Sequence, residues 1–175
     1  LTADSTQASG LKWANSGLTL SNITSGTLSG STVSLTGLTQ DYLMLRITGA
    51  TWPTTYAGIQ LRFNNNSSAV YNYTGWQGAT FDNGGYVDVT SFGLSLGAVY
   101  NTGGANSFII EIKNCKNSGY HTISWVGYHR NQANTAISGV VLQGYFENST
   151  PITSLQIIND GGYSFNGGTY ELIGG

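Results

Sequence analysis

The chain has 175 residues, of which 8% are charged and 12% aromatic, and carries a formal net charge of −2 from six Lys/Arg and eight Asp/Glu. That length suits one domain with a sizeable core, and the aromatic content, set in alternating apolar runs, excludes disorder despite the abundance of Gly, Ser, Thr and Asn. The basic residues Lys12, Arg46, Arg62, Lys113, Lys116 and Arg130 are scattered and form no stripe for a phosphate backbone, so nucleic acid is not an expected partner. No apolar run reaches the length of a membrane helix, so no membrane insertion is expected.

In chain order, residues 1–15 show neither alternation nor a turn cluster and read as a linker or extended arm. The chain opens on Leu1 rather than Met, which predicts a longer parent or a processed product. Residues 16–175 read as one β-sandwich domain. A strand is expected over 18–23. The Ser/Thr/Gly-rich stretch 21–39 is held in the domain as short edge strands, including 32–35, by the anchors Val33, Leu35 and Leu38. Leu43, Leu45 and Ile47 then alternate with Arg46 and Thr48, and Ile59, Leu61 and Phe63 with Gln60 and Arg62. Strands follow over 70–73 and 86–89. Phe108, Ile110 and Ile112 alternate with Ser107, Glu111 and Lys113, with Ile109 breaking the pattern. Further strands are expected over 120–129 and 137–145, then around Leu155 and Ile157, and last over 169–173.

Each clean alternation marks a strand with one buried and one wet face, as in antiparallel sheets. Gly- and Asn-rich turns such as Asn83-Gly84-Gly85 and Asn166-Gly167-Gly168 separate the strands, and helical periodicity is almost absent. The fold class expected is all-β: an antiparallel β-sandwich, jelly-roll-like, of eight to ten strands, with an extended N-terminal segment. The ten alternating residues Leu43, Leu45, Ile47, Leu61, Phe63, Phe108, Ile110, Ile112, Leu155 and Ile157 should form its core.

Catalytic chemistry finds little to stand on. A glycosidase needs two carboxylates at a fixed separation. Asp82, Asp88 and Glu111 are the suggestive acids, yet they also read as a turn residue and two wet-face strand residues. No nucleophile elbow or paired base is visible. His121 and His129 lie on one strand, roughly 26 Å apart by strand rise, too far to share a metal. Asn64-Asn65-Asn66 with Asp82 offers oxygen ligands but one carboxylate, which favours an Asn-rich turn over a cation site. Cys115 stands alone and reads as a small buried residue. The expectation is no enzyme, no cofactor and no metal.

Aromatic residues are the better clue. Trp52, Tyr56, Trp76 and Tyr86 lie in or beside segments rich in Gly, Thr and Asn. A ring beside amide groups suits a sugar, covering its C–H face while amides bond its hydroxyls; the same rings also fill cores and subunit contacts. The candidate glycan patch is Trp76 and Tyr86, with Asp82 and Asn83 supplying hydrogen bonds from the turn between them. Trp125, flanked by Ile123 and Val126, is expected in the core.

The opening Leu1-Thr2-Ala3-Asp4-Ser5-Thr6-Gln7-Ala8-Ser9-Gly10-Leu11-Lys12-Trp13-Ala14 resembles the connector found ahead of C-terminal domains in phage tail-fibre-like proteins. Residues 25–31 running into 43–47, residues 61–71 and the closing 165–174 resemble the same group, so the likeness touches about half the chain. It implies a bacteriophage virion surface protein, commonly a homotrimer, whose terminal domain packs on its copies or meets a receptor; other virion proteins and, from the aromatic residues above, a host surface glycan are the further partners expected. It places no binding motif on particular residues. The function expected is a non-enzymatic tail-fibre or spike-like domain for host attachment. The alternatives are a capsid decoration or head-fibre protein with a structural or adhesive role, and a polysaccharide hydrolase.

Overall fold

A computed structural model describes residues 19–53, 57–78, 85–95, 106–130 and 137–175, together with the backbone of two short strands at 2–3 and 11–12. Its elements are all strands. Within the expected arm, β1 (Thr2–Ala3) and β2 (Leu11–Lys12) pair antiparallel. The domain continues with β3 (Ser21–Thr27), β4 (Thr32–Thr36), β5 (Leu43–Thr51), β6 (Ile59–Phe63) and β7 (Tyr71–Gln77). Then come β8 (Tyr86–Val89), β9 (Phe92–Gly93), β10 (Asn106–Lys113), β11 (Gly119–Arg130), β12 (Ile137–Asn148), β13 (Ser154–Asn159) and β14 (Gly167–Gly174).

Two antiparallel sheets result, an eight-stranded one in the order β3-β14-β5-β10-β11-β12-β7-β8 and a four-stranded one in the order β4-β13-β6-β9. The fold is an antiparallel β-sandwich, as the alternation predicts. Its sheets are unequal, and β10, β11 and β12 form an up-and-down meander in the middle of the larger one. The two Ser/Thr-rich strands β3 and β4 lie at sheet edges, the place their weak apolar content suits.

All ten residues expected in the core are buried. Leu45 shows why: on β5 it stands between Ile110 of β10 and Leu172 of β14, with no exposed surface. Phe63 of β6 meets Tyr71 of β7 and Phe146 of β12 across the sandwich. Trp125 is buried as expected, and its indole N–H donates to the Leu94 carbonyl at 3.2 Å. Trp52 is a correction. It is 1% exposed and packs edge-to-face on Phe165, so it fills the core and offers no surface ring. Tyr56 lies outside the described residues.

Polar features take structural roles. Asn64 and Asn65 turn with positive φ, and the Asn64 side chain ties that turn to the 151–154 loop. Its Oδ1 accepts from the Thr153 amide and its Nδ2 donates to the Pro151 carbonyl, each at 2.8 Å. Cys115 is buried, and desolvation pushes its thiol up to about 12. Both histidines face the interior of β11. His121 Nδ1 bonds the Asn114 carbonyl and its ring stacks on Phe146. His129 Nδ1 bonds the Arg130 carbonyl at 2.8 Å, so this nitrogen carries the proton and the neutral ring leaves Nε2 bare. Burial holds the His129 pKa below its ordinary value.

Leu45→Ala should cost about 2–5 kcal/mol by cavity formation, read as a lowered denaturation midpoint with an unchanged slope; a cost near zero would contradict the packing. His129 sets a second expectation. Its folded pKa is depressed, so the unfolded chain takes up the proton first as pH falls. Its contribution is therefore full above about pH 6.5 and is lost as pH drops below that value toward the folded pKa. The thermal midpoint should fall across that window, and His129→Gln should flatten the fall.

Candidate functional site

The face of the eight-stranded sheet turned away from the core departs from the wet surface normal for an antiparallel sheet. Ile109, Val126 and Val141 are all exposed there, Val141 by 53%. Register brings them into one line: Ile109 pairs with Val126, Val126 with Val141, and Val141 with Trp76. An apolar stripe thus crosses β10, β11, β12 and β7, ending on the half-buried Trp76. One step along the strands lies a polar row, in which Glu111 pairs with Ser124, Ser124 with Gln143, and Gln143 with Thr74. A further step brings Thr122 opposite Tyr145, whose ring meets Tyr120 edge-to-face. In the other direction the stripe gives way to Tyr128 opposite Gly139.

These rows line a trough of three adjoining depressions of about 600, 620 and 500 Å³. The first two share Thr74, Glu111, Ser124 and Gln143, and the last two share Trp76, Ile109, Val126 and Val141. Tyr86 borders the first, and Trp76 the second and third. Two of the four candidate patch residues therefore lie on one trough, at different stations. Trp76 points outward from β7, whereas Tyr86, on the edge strand β8, stacks on the inward-facing Tyr73 with centroids 4.8 Å apart. Asp82 and Asn83 lie outside the described residues.

The charges along the trough are matched. Lys113 lies 3.6 Å from Glu111, and Arg46 lies 3.0 Å from Glu171. Tyr42 adds its hydroxyl to Glu111, and its pKa is raised by desolvation first and then by that carboxylate. Asp88 and Glu111 are four strands apart in the sheet order, roughly 19 Å of sheet at the usual strand spacing. A glycosidase pair needs about 5–9.5 Å, so these two acids do not make one. Among the described residues no three His, Cys, Asp or Glu gather to hold a metal. The trough offers hydroxyls, the side-chain amides of Asn72 and Gln143, one carboxylate and apolar surface, a set suited to holding a polyhydroxylated ligand.

Ile109 stands out in the sequence as a break in the alternation and Val126 as a neighbour of Trp125, but the sequence reading assigns Ile109, Val126 and Val141 no surface role, although a signal was present. Each breaks the alternation of its strand by adding an apolar residue beside a core one. The local backbone depends on glycine. A Cβ on Gly144 would stand 2.2 Å from the Asn72 carbonyl oxygen, and one on Gly75 would stand 2.2 Å from that of Val141. Glycine at both positions lets β7 and β12 approach closely beneath the polar row.

Comparison with known proteins assigns no family, since no family model matches the chain and no curated protein matches it.

Gly144→Ala should force these strands apart at a cost of about 1–3 kcal/mol, as overpacking does. Chemical denaturation measures it, and a variant as stable as the parent would show that the strands need not lie so close.

Proposed function

We propose that this chain is a non-enzymatic recognition domain of a bacteriophage virion surface, a tail-fibre or spike-like part that attaches to the host by binding a surface glycan. The observation that carries the proposal is the trough, where Trp76 and the Ile109–Val126–Val141 stripe lie beside the Glu111–Ser124–Gln143–Thr74 row. A contiguous row of exposed apolar residues on a sheet face suits an interaction site. Flat rings and methyl groups cover the C–H faces of a sugar, while the adjacent hydroxyls, amide and carboxylate exchange hydrogen bonds with its hydroxyls. The virion setting follows from the likeness of the opening connector, residues 1–14, to phage tail-fibre-like proteins. In that setting three copies raise a weak single-site affinity by acting together.

Adsorption of the purified protein to host cells should fall about tenfold or more with Trp76→Ala, an overall loss of about 1.4 kcal/mol or more. The variant must first melt as a folded protein. Adsorption should survive high salt, because the trough's charges are already paired. Unchanged adsorption in the folded variant would sink the glycan reading.

A further inference from the structure

Granted the glycan reading, on which this rests, we infer that the trough takes an internal stretch of an uncharged linear polysaccharide laid along the strands, and not a single terminal sugar. A terminal sugar is recognised where polar groups converge on one closed pocket. Here the contacts are spread along an axis. The three depressions pass into one another through shared lining residues, drifting from β8 at one end to β5 at the other.

Along β12 the axis runs from Tyr145 through Gln143 and Val141 to Gly139, and each of these has its cross-strand neighbour on β11: Thr122, Ser124, Val126 and Tyr128. Ring, polar, apolar and ring stations therefore follow one another at about 7 Å, two residues of strand rise apart. From first to last they span roughly 20 Å, room for about four pyranose rings of an extended chain. Such a chain presents C–H faces beside hydroxyl edges, surfaces that the apolar and polar stations of the trough can meet.

Charge selects the class of polymer. The charged residues lining the trough, among the described residues, are Glu111, Lys113 and Arg46. Lys113 faces Glu111 and Arg46 faces Glu171, so an acidic polysaccharide must compete with these carboxylates for its cations, and a basic one meets a carboxylate that already has a partner. An uncharged chain loses nothing to this arrangement.

The probes are immobilised neutral oligosaccharides of the cello, malto, manno and chito series, graded from single sugars to about six units, with polygalacturonate oligomers as the acidic control. In the series that binds, affinity should rise about tenfold or more between one unit and about four, then level off. Val141→Arg, an exposed substitution in the middle of the trough, should remove that rise and keep the melting temperature, while Tyr163→Ala, exposed outside the trough, should change neither. A single sugar bound as tightly as the longer chains, or polygalacturonate bound best, overturns the inference and leaves the glycan reading standing. No binding to any series also overturns it, and the Trp76→Ala adsorption result then decides whether the glycan reading falls too. A parent protein that self-associates and a Val141→Arg variant that does not would make the trough a contact between copies, overturning the inference as well.

Discussion

Tyr71 ties the two sheets together, and the rest of the sandwich is arranged around that tie. It belongs to β7 of the larger sheet, yet its hydroxyl accepts from the Phe63 amide of β6 at 3.0 Å and donates to the Asn66 carbonyl at 2.8 Å. The ring is buried with no exposed surface, and desolvation pushes its phenol up to about 12, so the group stays protonated and keeps donating. Its faces and edges meet Phe63, Phe92 and Phe146 within 6.3 Å. Phe92, in turn, reaches Tyr73 and Trp125. A sandwich this poor in charge has few ion pairs to position one sheet on the other. Aromatic packing supplies both the apolar burial and the geometric lock.

With the inner face held in that way, the outer face follows from strand parity. Trp125 inside requires Ser124 and Val126 outside, and Leu142 inside requires Val141 and Gln143 outside. A slip of one residue between β11 and β12 would send the trough's residues into the core and the core's residues into water. Core packing therefore sets the register, and the register assembles the stripe and the polar row. The trough needs no further specification beyond the glycines that allow β7 and β12 to approach.

The interior holds two histidines at little functional surface. His121 and His129 occupy inward positions of β11 that would otherwise be apolar, each satisfied at Nδ1 by a backbone carbonyl. Neighbouring outward residues on the same strand, Thr122 and Tyr128, border the trough region instead. One strand thus separates its titratable groups from its candidate binding groups, because successive side chains point to opposite faces.

The all-β class, the antiparallel pairing and the alternating part of the core were legible in the sequence alone, whereas the expected eight to ten strands became twelve in the sandwich. Leu43, Leu45, Ile47, Phe108, Ile110 and Ile112 announce their face by period-two alternation, a local property of each segment. Trp125, set among apolar neighbours, was legible in the same way. Trp52 was not: its Gly- and Thr-rich surroundings suggest a surface ring, whereas a distant partner, Phe165, buries it. The sheet order, the unequal sheets and the trough were decided by tertiary structure, since Ile109, Val126, Val141 and Trp76 become one surface through cross-strand register. Alternation says which way a residue faces along its own strand. Which residues stand beside it is set by pairing between segments far apart in the chain, and no local pattern carries that information.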